Sequence, residues 1–153
     1  MTGFILTLIS VLIILLFASQ VAGRLDRLHR RVSSARTTLW RRCNERYEAA
    51  IASGVPEIAI AADLAKVAAS SSLFSAPHLF AESELTRVLQ DHDTDLPMQL
   101  AQVRVQDARR MYNEAVRSTM YLRSWRIARW LRLSGRASAP KYVDFDDGIL
   151  QLN

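Results

Sequence analysis

The sequence predicts an all-α protein in which a single N-terminal transmembrane helix continues into an antiparallel, up-and-down helical bundle. Three observations carry this reading. Phe4 to Gly23 (FILTLISVLIILLFASQVAG) contain no charged side chain, and at 1.5 Å per residue the run is long enough to cross a hydrocarbon core of about 30 Å. Beyond Gly23 the apolar positions recur at spacings of three and four, which is the period of one helix face. Short connections join the amphipathic segments and favour antiparallel neighbours. The 153 residues accordingly divide into an anchor at 1–23, a helical bundle at 24–136 and an irregular tail at 137–153.

A secretory signal peptide competes with the anchor. Such a peptide needs a positive start, a shorter apolar core and a small-residue cleavage site. Only Met1, Thr2 and Gly3 precede the run, none with a charged side chain, and a cut after Val21-Ala22-Gly23 would lead straight into a helical pattern. The uncleaved anchor is favoured. Arg24, Arg27, Arg30, Arg31 and Arg36 follow it, with Asp26 the one acid among them. The positive-inside rule places that side in the cytoplasm. The expected topology is an outside N-terminus and a cytoplasmic C-terminal domain. Eighteen arginines against two lysines fit a GC-rich bacterial genome, so the bacterial inner membrane is the expected location. There Cys43 stays reduced. No glycine small-xxx-small pattern in the anchor forces dimerisation, and the oligomeric state stays open.

The first stripe runs Leu25, Leu28, Val32, Ala35, Leu39, Cys43, Tyr47 and Ala50, with arginines assigned to the opposite face. The helix is expected to run unbroken from the anchor to Gly54, a natural stop, with Pro56 opening the next element. Glu57 to Ser70, with Ile58, Ile60, Leu64 and Val67, reads as a shorter helix. Ser70 to Ser72 and Pro77 mark a connection, and Ala81 to Gln90 reads as a third helix. The last helix is expected from near Pro97 to about Leu133, with Leu100, Val103, Met111, Ala115, Leu122 and Trp125 as its stripe.

Charge is sorted along the chain. Residues 24–36 hold five arginines and one acid, 117–136 hold six arginines and no acid, and 54–107 hold eight acids against three bases. In an antiparallel bundle both basic segments return to the membrane end. Anionic lipid attracts each such residue by about 1 kcal/mol, and Trp favours the interface. Arg24, Arg27, Arg30, Arg31, Arg123, Trp125, Arg126, Arg129, Trp130 and Arg132 are therefore the expected lipid contacts, on anionic headgroups. The competing reading is plain structure: arginines near a helix C-terminus suit its dipole, and the tryptophans could be core. Nucleic acid is not expected, because the basic end is assigned to the membrane. The acidic segment 54–107 is the place for a basic protein partner.

No constellation for catalysis emerges. Asp91, Asp93 and Asp95 imitate the first ligands of a calcium loop, but Leu96 and Gln102 stand where that loop needs Gly and Glu. Asp95 is more simply a helix N-cap. Cys43 lies on the apolar stripe, where cysteine acts as a small hydrophobe, although Arg41, Arg42 and Arg46 would lower its pKa if it were exposed. One cysteine and three scattered histidines exclude a disulfide framework and a multi-cysteine metal site. No cofactor, metal site or catalytic residue is expected. The favoured function is a non-enzymatic adaptor or accessory subunit of a membrane complex. A regulator or enzyme acting on lipids at the cytoplasmic leaflet is the alternative, and a secreted binder is a third class.

Two segments carry a family resemblance. ARRMYNEAV, Ala108 to Val116, is similar to the ARRxYNxAV pattern of the LemA family of bacterial membrane proteins. AESELTRVL, Ala81 to Leu89, resembles that family's AENxLxxAL stretch, with Ser83 where Asn is usual. The juxtamembrane helix adds a weaker likeness. The chain thus resembles a shortened, divergent LemA-like protein. The resemblance implies a single anchor and an antiparallel bundle, brings no established activity, and marks Arg109, Arg110, Tyr112, Asn113 and Val116 as motif residues. Tyr112 and Asn113 read as a buried, satisfied tyrosine and an asparagine bonding across helices, with a ligand site as the other reading.

Overall fold

The computed structural model describes residues 2–124 and 139–146. They form four helices, α1 (Thr2–Ala52), α2 (Pro56–Ser71), α3 (Ala76–Gln90) and α4 (Leu96–Ser124), with no strand among the described residues. The chain packs as two compact units, Met1–Ser34 with Glu114–Lys141 and Ala35–Asn113 with Tyr142–Asn153. Both α1 and α4 supply residues to each.

In the first unit, α1 begins with the apolar run, and α1 is long and apolar enough to cross a membrane by length and composition. From Phe4 to Phe17 every large apolar side chain is exposed. Two hydroxyls within the run turn back onto the helix: Thr7 Oγ1 donates to the Gly3 carbonyl at 2.7 Å and Ser10 Oγ to that of Leu6 at 2.9 Å. Burial starts near the end of the run, at Val21 and Leu25, and continues at Val32. From α4 the unit buries Ala115, Val116, Thr119 and Leu122.

In the second unit α1 buries Leu39, Cys43, Arg46, Tyr47 and Ala50. It stops where expected. Gly54 has φ 73°, in the left-handed region that glycine enters without a Cβ penalty, and Pro56 opens α2 at a position where its missing N–H is not needed. At the start of α4, Asp95 Oδ1 accepts from the Met98 N–H at 3.1 Å, the N-cap bond that its position suggested.

Two sequence expectations need correction. α3 begins at Ala76 rather than Ala81, because Pro77 lies in its first turn instead of in the connection. On α4 the buried positions are Met98, Ala101, Gln102, Val105, Ala108, Tyr112, Ala115, Val116, Thr119 and Leu122, whereas Leu100 and Met111 are exposed. Ala115 and Leu122 of the expected stripe are buried, but Leu100 and Met111 are not, because the inward face takes alanines, Gln102 and Thr119 between its larger apolar residues. The expected continuation of α4 to about Leu133 lies outside the described residues. On α2 only Ile58 of the four large aliphatics is buried. Ala61, Ala62, Ala65 and Ala69 complete the inner face, and Ile60, Leu64 and Val67 point outward.

These phases predict opposite outcomes for residues of similar size. Leu85→Ala or Met98→Ala should destabilise the chain by about 2–5 kcal/mol through lost burial and a cavity. Leu100→Ala and Met111→Ala should stay within about 0.5 kcal/mol. Urea unfolding of the full chain in micelles, followed by helical circular dichroism, checks both.

Candidate functional site

In the first unit the residues that follow the apolar run build a groove of about 510 Å³, lined by Arg24, Leu28, Arg31, Glu114, Arg117, Ser118, Tyr121 and Leu122. Helical period explains the set. Arg24, Leu28 and Arg31 are four and three residues apart on α1, and Glu114, Arg117, Ser118, Tyr121 and Leu122 repeat that spacing on α4. Three guanidiniums face one carboxylate. Glu114 pairs with Arg117 at 3.1 Å, whereas Arg24 and Arg31 make no ion pair among the described residues. The floor is apolar, with Leu122 buried, and Tyr121 is exposed at the rim. Fixed positive charge above an apolar floor suits an anionic amphiphile.

The other expected lipid contacts fall as follows. Arg27 is exposed, Arg30 is exposed and paired with Asp26 one turn before it, and Arg123 lies 3.5 Å from His29 Nε2. Trp125, Arg126, Arg129, Trp130 and Arg132 lie outside the described residues.

The motif residues hold the C-terminal segment of the second unit. The Asn113 amide donates through Nδ2 to the Val143 carbonyl at 2.8 Å and accepts from the Val143 N–H through Oδ1 at 3.0 Å. It therefore captures the backbone of the non-helical C-terminal segment rather than bonding across helices. Arg109 reaches Asp144 at 3.3 Å and lies over the Phe145 ring at 5.5 Å. Beyond it, Ser83 Oγ accepts from the Asp146 N–H at 3.0 Å. Val143 and Phe145 are buried as a result. Tyr112 is buried, and burial raises its pKa against the opposing charge of Arg36. Val116 is buried in the first unit. Arg110 is exposed, 4.0 Å from Asp107.

Sequence reasoning missed the polar centre of the second unit. Arg46, assigned to the solvated face, is fully buried together with Tyr47, His78 and Glu82. Its guanidinium pairs with Glu82 Oε2 through Nη2, and Nη1 donates to Gln102 Oε1 at 2.7 Å and to Thr86 Oγ1 at 3.3 Å. Tyr47 donates its hydroxyl to Glu82 Oε1. The Phe74 N–H donates to His78 Nδ1 at 2.9 Å, so the ring proton sits on Nε2 and is shared with Glu82 Oε1 at 3.1 Å. Phe74 itself has φ 58°, a left-handed conformation that costs a side-chain-bearing residue about 1–2 kcal/mol. Its ring stacks on His78 at 5.6 Å, and Arg36 lies 5.8 Å over it. The only sequence signal was the helical spacing that stacks His78 on Glu82. The Arg46–Glu82 pair joins residues 36 positions apart.

The electrostatics follow from this enclosure. Burial by itself would raise the Glu82 pKa, but the Arg46 charge and the hydrogen bonds from His78 and Tyr47 outweigh it and hold the carboxyl below its ordinary value. Burial and the Glu82 charge push the Tyr47 hydroxyl up, which keeps it a donor. The same two causes raise the Cys43 thiol against the pull of Arg46. Cys43 is thus a protonated core residue and not an arginine-activated nucleophile. The cluster is closed to solvent and joins helices; it offers no face to a substrate. Among the described residues no group of three or more His, Cys, Asp or Glu side chains is placed to hold a metal ion. Compared with protein-family models, curated proteins and solved structures, the chain matches none.

Removing one partner of this pair leaves a buried charge without compensation, so Glu82→Gln should cost about 3–5 kcal/mol, while replacing Arg46 and Glu82 together by methionine and leucine should cost less than either single change. Acid should act through the same carboxyl. Its folded pKa lies below the ordinary 4.5, so its stabilisation is complete above about that pH and is lost as the pH falls through the lower folded value. Denaturation midpoints between neutral pH and pH 3 should fall below about 4.5 in the wild-type chain and less steeply in Glu82→Gln.

Proposed function

We propose that this chain is a non-enzymatic, single-pass membrane protein that serves as an adaptor or accessory subunit of a membrane complex, with its arginine-rich end against anionic headgroups. The carrying observation is a juxtaposition. A run of exposed apolar side chains from Phe4 to Phe17 leads within two helical turns into the groove bearing Arg24, Arg31 and Arg117. Contiguous exposed apolar surface on this scale calls for a membrane or a partner, and its length suits a bilayer. On this reading α1 crosses the membrane with its N-terminus outside, the helices form an antiparallel bundle on the cytoplasmic side, and the groove lies at the leaflet surface. Arg24 and Arg31 then meet lipid phosphates, and Leu28, Leu122 and Tyr121 meet the upper acyl chain. The acidic segment 54–107 is left for a basic partner.

A LemA-like identity is part of the proposal and rests on ARRMYNEAV and AESELTRVL. The capture of the C-terminal segment by Asn113 and Arg109 supports a structural role for that motif. The alternative, a regulator or enzyme acting on lipids, would have to work with Glu114, the one carboxylate lining the groove, and Arg117 already engages it.

Two measurements test the reading on the full chain. Polymer extraction from bacterial membranes followed by lipid analysis should show anionic phospholipid enriched around the wild-type chain, and the enrichment should disappear in the Arg24→Gln, Arg31→Gln, Arg117→Gln variant. Equal lipid composition in the two preparations would overturn headgroup binding. A membrane-impermeant maleimide should label Thr2→Cys in intact spheroplasts and Ser71→Cys only after lysis; the reverse pattern would overturn the topology. Buried Cys43 leaves the background low.

A further inference from the structure

α2 is built with its large side chains on the outside. Its inner face is closed by Ile58 and four alanines, while Ile60, Leu64 and Val67 are 62%, 62% and 66% exposed. Beside them Phe80 of α3 is 69% exposed. Scattered exposed hydrophobics are ordinary, but contiguous ones mark a contact surface. These are contiguous: Ile60, Leu64 and Phe80 line one groove of about 560 Å³ with Ala61, Ala81 and Val88. Along α2 the residues at 60, 64 and 67 have the i, i+4, i+7 spacing of a helix–helix contact face.

Charge identifies the occupant. At about 100° per residue, Glu57 and Asp63 fall about 60° to either side of Ile60, so carboxylates flank the apolar stripe on both edges. Glu57 also lines the groove, with Glu84 across it on α3. Neither Glu57 nor Asp63 forms an ion pair among the described residues, whereas Glu84 is engaged by Arg87 at 2.7 Å. The whole segment 54–107 carries eight acids against three bases. A second copy presenting the same face would set carboxylate against carboxylate, and an anionic lipid surface would be repelled. A helix with an apolar stripe and basic flanks satisfies both the groove and its rim.

We propose that the α2–α3 groove is a docking site for a basic amphipathic helix of a partner protein. The proposal rests on the adaptor reading above and gives its partner a chemistry. Ile60, Leu64 and Phe80 supply the apolar contact, and Glu57 and Asp63 select for lysine or arginine on the flanks.

The test uses the full chain in nanodiscs of zwitterionic phosphatidylcholine, with empty discs subtracted. The probe is a fluorescent synthetic helix bearing leucine at every third or fourth position and lysine on its flanks. Its counterpart carries glutamate in place of each lysine. The basic peptide should bind saturably, and the acidic peptide should bind about tenfold or more weakly. Leu64→Asp with Phe80→Ser should abolish binding of the basic peptide. Glu57→Gln with Asp63→Asn should weaken it and flatten its salt dependence. All four changed residues are exposed, and circular dichroism verifies that the helices persist. Equal binding of both peptides, or full binding by the Leu64→Asp, Phe80→Ser variant, would overturn the proposal. Self-association of the wild-type chain that this variant abolishes would also overturn it, in favour of a second copy. None of these readouts depends on lipid enrichment or topology, so the groove and the membrane reading can fail separately.

Discussion

A guanidinium removed from water must find acceptors inside the protein, and the second unit is organised around that demand at Arg46. Hydration of an ion is worth more than the net stability of a small protein, so the side chain can be buried only where acceptors converge. Glu82 and Thr86 come from α3 and Gln102 from α4. Glu82 in turn needs donors for its second oxygen, and Tyr47 and His78 provide them. His78 can donate because Phe74 occupies its other nitrogen, and Phe74 reaches it by taking a left-handed backbone. One buried charge thus constrains three helices and the turn that precedes α3. Such a network contributes less to total stability than its ion pair suggests, because desolvation offsets the attraction. Its larger effect is to disfavour other registers, in which Arg46 or Glu82 would be left unpaired.

The alanines of α2 show the complementary economy. Small side chains on the inner face contribute little apolar area each, so α2 contributes to the core mainly through Ile58. Its larger aliphatics are spent on the outer surface beside Phe80. For a structural helix that distribution is unfavourable, since exposed leucine and isoleucine forgo about 1.5–3 kcal/mol each relative to burial. A contact that buried the outer face would offset this cost, and carboxylates at Glu57 and Asp63 edge that face.

The first unit follows a different physical rule. Its helix starts with side chains that no neighbouring element among the described residues covers, then acquires arginines and buried positions within a few turns. Residue type changes with it: an exposed apolar run long enough to cross a membrane gives way to arginines and then to the spaced apolar positions of a packed helix. Arg24 and Arg31 carry this transition, because they sit beside the apolar run and have no carboxylate partner among the described residues.

Local chemistry was legible in the sequence. The uncharged run, the helical period, the stop at Gly54, the cap at Asp95 and the buried line through Leu39, Cys43 and Tyr47 each depend on residues within a turn or two of one another. The motif residues Tyr112 and Asn113 stood out as well, although the partner of Asn113, the Val143 backbone 30 positions away, did not. Side-chain size misled the reading of α4, where Leu100 and Met111 are outside and Gln102 and Thr119 inside. By itself, then, the sequence determined which segments are helical, where the first of them stops and how charge is distributed along them. Only the tertiary structure decided which faces of α2 and α4 are buried and which charges leave water, because an arginine or a glutamate can be buried only when its counterpart arrives from another helix.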